Sequence, residues 1–175
     1  MILNIWGGPG TGKSTIAAQL FGELNRDGLH CELVTEFAKE LNWESRTETL
    51  KNQLYVDSKQ YRNFARVDGK VDLIITDSPI LKGPFYAEYY NAVPDPDLYF
   101  RLFRQFEETL SPSVNILLSR ATQYKVVGRN ESEEAARLLD MAMEKWMHRR
   151  NIRYTKINAV HSAKEQIIKV LEENI

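Results

Sequence analysis

The chain has 175 residues, 43% of them hydrophobic and 27% charged, with a formal net charge of −1. That size and composition suit one domain, residues 1–175, with a three-layer core, and exclude a low-complexity or disordered chain. Near neutrality excludes a global positive field toward nucleic acid or acidic membrane, and a single cysteine, Cys31, excludes an internal disulfide and a cysteine metal cluster.

No apolar run approaches transmembrane length, and the N-terminus lacks a secretory leader's basic start and cleavage site. The expectation is therefore a cytoplasmic protein that does not engage a membrane. His30, His148 and His161 have no mutual spacing that suggests a metal site.

The first element is an apolar strand, Ile2 to Trp6. It runs into Gly7-Gly8-Pro9-Gly10-Thr11-Gly12-Lys13-Ser14-Thr15, which satisfies the phosphate-loop pattern of Gly, four residues, Gly-Lys-Ser/Thr. A helix follows from Ser14 and stops near Asp27-Gly28. Strand, loop and helix in this order give the motif its meaning: glycines let backbone N–H groups curl around an oxyanion, and the helix N-terminus adds its positive dipole end. Gly8, Gly10, Thr11, Gly12, Lys13, Ser14 and Thr15 are the candidate nucleotide-binding residues. Lys13 is a point charge for the terminal phosphates, and the Ser14 hydroxyl is a ligand for Mg2+.

A second strand covers His30 to Thr35, with a short helix from Phe37 to Leu41. Between them stands Glu36, at the carboxyl end of a strand, where ligands gather in doubly wound sheets. It can accept a proton from a substrate hydroxyl, join a metal shell, or favour the following helix as a first-turn acid.

Next, the sequence predicts one long helix from Thr47 to about Val67. Leu50, Leu54, Tyr61 and Ala65 share its expected core face. Gln53, Asp57 and Gln60 border that face as candidate acceptor contacts or a solvated edge, and Lys59, Arg62 and Arg66 fall opposite.

Val71 to Thr76 is the most apolar strand and should be central. Asp77 follows it, placed to hold Mg2+ beside the phosphate loop or to cap the Asp-Ser-Pro turn. Pro79 to Pro94 reads as irregular and crowded with Phe85, Tyr86, Tyr89 and Tyr90. These rings can stack on a base or pack the segment. Asp95-Pro96 begins a helix that runs to Leu110 and buries Tyr99, Leu102, Phe103, Phe106 and Leu110.

Val114 to Leu118 is the next strand. After it come Ser119-Arg120, then Tyr124, Lys125, Gly128 and Arg129, a basic segment suited to a small lid over about 120–131, with Arg120 and Arg129 as candidates for stabilising charge. An acidic helix follows from Glu131 to Met147, with a core stripe at Ala135, Leu138, Leu139, Ala142, Met143, Trp146 and Met147. Ile152 to Ile157 is the last strand and Ala163 to Glu173 the closing helix. Strands alternating with helices predict an α/β protein with a parallel sheet wrapped on both faces.

Taken together, Gly7–Thr15, Thr35-Glu36-Phe37-Ala38-Lys39-Glu40, Thr76-Asp77-Ser78-Pro79 and the basic segment Arg120–Arg129 resemble the phosphate-loop nucleoside and nucleotide kinases. Within them the chain is similar to the ribosylnicotinamide-kinase-like ATPases, many of them phage-encoded. The resemblance implies a five-stranded parallel sheet in the order 2-3-1-4-5, Mg-ATP as phosphoryl donor, and an acceptor bound between the helices that flank the central strands. Lys13, Glu36, Asp77, Arg120 and Arg129 are the candidate catalytic positions and Ser14 and Asp77 the candidate metal site, and a homodimer is one possible assembly.

The chain departs from deoxynucleoside kinases, which show Glu-Pro after strand two and Asp-Arg after strand three; here Phe37 follows Glu36 and Ser78 follows Asp77. The acceptor class is therefore open: a hydroxyl of a small nucleoside- or nucleotide-type molecule, a nucleoside monophosphate, or a hydroxymethylated base or 5′ end in DNA. Arg62, Arg66, Arg101, Arg104 and Arg149-Arg150 are the residues for a DNA track. An NTP-hydrolysing switch is the competing class, although a GTPase's Asn-Lys-x-Asp motif does not occur. A carboxylate at position 36 favours a hydroxyl acceptor, because an acceptor phosphate needs cations instead.

Overall fold

A computed structural model describes residues 1–120 and 133–174. Five parallel strands, β1 (Ile2–Trp6), β2 (Cys31–Val34), β3 (Leu73–Thr76), β4 (Ser113–Ser119) and β5 (Thr155–Asn158), form one sheet in the order β2-β3-β1-β4-β5. In register, Asn4 stands opposite Thr76 on one side and Asn115 on the other. The predicted order holds, and each strand is found within two or three residues of its expected bounds.

Strand alternation sends side chains to two cores. Leu3, Ile5, Ile75, Ile116 and Leu118 pack under α1 (Lys13–Arg26) and α8 (Ala163–Glu172). Ile2, Trp6, Ile74 and Leu117 pack on the other face with Phe64 of α4 (Gln53–Ala65), Phe85 of α5 (Lys82–Tyr89), Phe103 of α6 (Pro96–Glu108) and Met143, Trp146 and Met147 of α7 (Glu133–Arg149). All five strands thus point their carboxyl ends the same way, and the loops that follow β1, β2 and β3 meet there. No described helix is long and apolar enough to cross a membrane.

Three expectations need correction. The long helix from Thr47 is broken: α3 (Thr47–Leu50) stops, and Asn52 caps a new helix, α4, by accepting a hydrogen bond from Tyr55 N at 3.1 Å. The break resets the helical phase, so the buried face of α4 carries Val56, Asp57, Gln60 and Phe64, while Leu54 is 52% exposed and Ala65 is exposed. The segment after Pro79 is helical as α5. Pro84 is tolerated because it lies in the first turn, where the backbone N–H has no partner within the helix. In α7 the buried stripe is Ala136, Leu139, Met143, Trp146 and Met147, with Leu138 exposed. The cap of α6 stands as expected: the Asp95 carboxylate accepts from Leu98 N at 2.9 Å.

Candidate active site

The phosphate loop joins β1 to α1 through positions that only glycine occupies without strain: Gly10 and Gly12 have φ of 80° and 91°. Lys13 Nζ folds back to donate to Gly8 O at 2.8 Å, and Thr11 Oγ1 donates to the same oxygen at 3.1 Å. Burial lowers the Lys13 ammonium to about 7, helped by repulsion from Lys82 and opposed by Glu36, Asp77 and Asp140. A loop that confines a cation in this way is ready for an anion.

Ser14 and Asp77 meet as the sequence suggests. Ser14 Oγ donates a hydrogen bond to Asp77 Oδ2. The other carboxylate oxygen, Asp77 Oδ1, is buried with no hydrogen-bond partner among the described residues. A hydroxyl and an orphaned carboxylate oxygen side by side fit a hard cation such as Mg2+, which prefers oxygen ligands and uses few protein groups.

The ends of β2 and β3 are clipped together by neutral side chains. Thr76 Oγ1 donates to Val34 O at 2.7 Å and accepts from Ser78 N at 3.0 Å. Gln60 donates to Thr35 O and Ser78 O at 3.2 and 3.1 Å and accepts from Phe37 N at 2.9 Å. With its amide thus engaged, Gln60 fixes the turn that carries Glu36. Glu36 occupies the N-cap position of α2 (Phe37–Trp43), but its side chain makes no cap bond. Instead Glu36 Oε1 accepts from Lys82 Nζ at 3.0 Å. Burial raises the Glu36 carboxyl, but Lys82 and Lys13 outweigh it and hold the group below its ordinary range. Burial alone would lower Lys82, yet Glu36 and neighbouring Tyr86 and Asp77 hold it above the ordinary lysine value.

A cavity of about 580 Å³ opens from Lys13 and Ser14, passes Glu36 and Lys82, and continues to Gln53 and Asp57 of α4. Asp57 is buried: Gln53 Nε2 donates to both its oxygens at 2.9 and 3.0 Å, and Tyr99 Oη donates to Oδ2 at 2.8 Å. Burial is the leading influence and pushes this carboxyl up to about 6, against Gln53, Tyr99 and Lys82. Gly83 packs directly on it, and a Cβ there would collide with the carboxylate. Tyr86 and Tyr90 line the same cavity with rings stacked at 5.9 Å, whereas Phe85 turns into the core against Trp146.

Arg120 lies beside the loop. Its guanidinium donates to Pro9 O at 2.8 Å and to Asp140 Oδ2 of α7 at 3.1 Å, and Asp140 Oδ1 accepts from Gly8 N at 2.9 Å. Tyr124, Lys125, Gly128 and Arg129 of the expected lid lie outside the described residues.

Sequence reasoning passed over Lys82, Asp140 and the hydroxyl of Tyr99. One signal for the first was present: Lys82, Tyr86 and Tyr90 recur at a spacing of four, one face of a helix. Several of the arginines considered for a DNA track are committed elsewhere. Arg104 pairs with Glu107 and Glu108, Arg149 with Glu88, and Arg150 with Glu88 and Asp97.

Comparison with known proteins fits this arrangement. A family model described as an AAA domain matches residues 3–165. Among solved structures, deoxyadenosine kinase from M. mycoides with bound dATP superposes with a TM-score of 0.64 at 23% identity, covering 98% of this chain and 100% of that one. Thymidylate kinase from Ehrlichia chaffeensis gives 0.68 at 16% identity over 98% of each chain. The NadR protein in complex with NR gives 0.72 at 14% identity, covering 96% of this chain and 50% of that one. At these identities the likeness establishes a shared fold, that of the phosphate-loop nucleoside and nucleotide kinases. No curated protein matches in sequence.

Proposed function

The chain belongs to the AAA domain family whose model spans most of its length, and we propose that it is a kinase that moves the terminal phosphoryl group of ATP to a hydroxyl of a nucleoside- or nucleotide-type acceptor. One observation carries the reading: a single cavity runs from the phosphate-loop Lys13 and Ser14 to a carboxylate, Glu36, held beside it. A hydrolytic switch needs only water at the phosphate; a transferase needs room for a second substrate, and about 580 Å³ supplies it.

Lys13 and the N-terminal amides of α1 would hold the donor phosphates, and Arg120, tied to Pro9 O, adds positive charge at the loop's rim. Ser14 and Asp77 would hold a magnesium ion, which when bound would supply charge neutralisation at the phosphates. Glu36 is held ionised by Lys82, so it is a weak base. That suits a loose phosphoryl-transfer transition state, in which the attacking hydroxyl keeps its proton until late and needs mainly orientation. Gln53 and Asp57 line the same cavity and would hydrogen-bond the body of the acceptor. Deoxyadenosine kinase with bound dATP, NadR in complex with NR, and thymidylate kinase have the same fold.

A monophosphate acceptor draws less support, because no arginine is among the described residues that line the cavity. Transfer of label from ATP to a panel of nucleosides, nucleoside monophosphates and hydroxymethylated DNA oligonucleotides tests the proposal directly. Labelling of a hydroxyl on a nucleoside-type acceptor is expected. ATP hydrolysis with no acceptor labelled would return the switch reading, and labelling only of monophosphates at their phosphate would replace the hydroxyl reading.

A further inference from the structure

We propose that Lys82 is a catalytic residue of this transfer, with its ammonium facing the reacting oxygens at the junction between the phosphate loop and the acceptor space. The inference rests on the kinase reading and adds a residue that the sequence motifs do not contain.

The first ground is hydrogen-bond accounting. Lys82 is 4% exposed, and an ammonium has three N–H donors. Among the described residues Glu36 Oε1 is the one hydrogen-bond acceptor of Nζ, at 3.0 Å. A buried ammonium with donors left over is costly unless something fills them. Lys82 lines the cavity together with Lys13 and Ser14, so the unfilled donors have that space to serve.

The second ground is position. Lys82 is the first residue of α5, and the turn Ser78–Leu81 before it hangs from Thr76 and Gln60, the same side chains that fix Glu36 and the end of β3. Gly83, beside it, is pressed against Asp57. The ammonium is thus held by rigid elements on two sides, which is how a preorganised charge is built.

The third ground is charge. The Lys82 charge lies close enough to lower the Lys13 ammonium, and Glu36 and Asp77 raise both. Lys13 and Lys82 both line the cavity, and together they would clamp the negative oxygens of a phosphoryl group in flight. The step balances without further reactants. The acceptor oxygen bonds to the terminal phosphorus, the bond from that phosphorus to the bridging oxygen breaks with its electron pair going to ADP, and the hydroxyl proton passes to Glu36. Lys82 keeps its protons throughout and stabilises the equatorial oxygens electrostatically.

The test compares four proteins in single-turnover transfer from ATP: wild type, Lys82→Met, Glu36→Gln and Glu36→Gln/Lys82→Met, with ATP affinity and thermal denaturation measured on each. The double variant removes both members of the buried pair, so no charge is stranded and its fold is safe even where Lys82→Met is unstable. Lys82→Met should lose on the order of 10²-fold in the maximal rate with ATP affinity kept. In the Glu36→Gln background, removing Lys82 should cost roughly a further tenfold or more. A residue that acted only by positioning Glu36 would cost nothing more there, and equal rates for Glu36→Gln and the double variant would overturn the inference. Wild-type transfer with Lys82→Met unimpaired would overturn it as well while leaving the kinase reading in place. Absence of transfer by wild type to any acceptor would remove the kinase reading, and this inference with it.

Discussion

The two ends of the cavity are built on different principles. At the donor end, nine consecutive residues make most of the site, and its main instruments are backbone N–H groups and one lysine. At the acceptor end, Glu36, Asp57, Lys82 and Tyr99 come from four separate elements, and the instruments are side chains locked by their neighbours. The donor end is encoded locally and depends on glycine geometry. The acceptor end exists only once β2, β3, α4, α5 and α6 are assembled. In the proposed reading the first would hold the donor phosphates, and the second is where one chain of this fold can differ from another.

If the division is real, changes at one end should leave the other intact. The largest effect belongs to Lys13→Ala, which should lower the transfer rate by about three orders of magnitude or more while leaving the melting temperature near that of wild type. A folded variant with near-normal turnover would break the assignment of the donor end. Asp77→Asn removes the charge beside Ser14 and should shift the magnesium dependence of transfer to higher concentration by roughly tenfold or more, with a smaller change in nucleotide affinity without metal. Overlapping magnesium titrations would make Asp77 a turn residue only.

Asp140 sharpens the comparison, because it lies 132 residues from Gly8 and yet belongs to the donor end. Asp140→Ala leaves Gly8 N without its carboxylate acceptor and removes the Asp140 ion pair from Arg120, and should raise the KM for ATP by about tenfold with the acceptor KM unchanged. A change in acceptor KM instead would blur the boundary between the two ends.

The smallest effect is a pH dependence at Asp57. Its carboxyl is raised from an ordinary 3.8 to about 6 in the folded chain. The folded state therefore holds this proton more tightly than the unfolded state does, and stability falls as pH rises through that window. Asp57→Asn lacks the effect. Urea unfolding of both proteins should show wild type losing stability relative to the variant by on the order of 1–2 kcal/mol between pH 4 and 6.5. Parallel stability curves would show that Asp57 is no more buried in effect than a surface carboxylate.

What could be read from the sequence follows the same division. Gly7 to Thr15 and the placing of Glu36 and Asp77 after β2 and β3 were legible because each depends on contiguous residues and on a fold whose loops all gather at one sheet edge; the strand order came only through the family resemblance those residues carry. Lys82 was hidden because Gly83 and Pro84 look like helix breakers. α5 forms despite them through burial of Leu81, Phe85 and Ala87, which local propensity does not register. Gln60 was legible as a polar residue that is either an acceptor contact or a solvated edge; it is buried and lines the cavity. A helical wheel cannot show that its amide bridges Thr35 O and Ser78 O. Asp140 gave no local signal at all, since its partners are Gly8 and Arg120.

The central claim is that Glu36 serves the acceptor and not the donor. Single-turnover transfer by wild type and Glu36→Gln, with ATP affinity determined in parallel, tests it most directly. The account predicts a loss of roughly two to four orders of magnitude in the transfer rate with ATP affinity unchanged. An unchanged rate, or an equal loss of ATP affinity, would contradict it and return a monophosphate acceptor to first place.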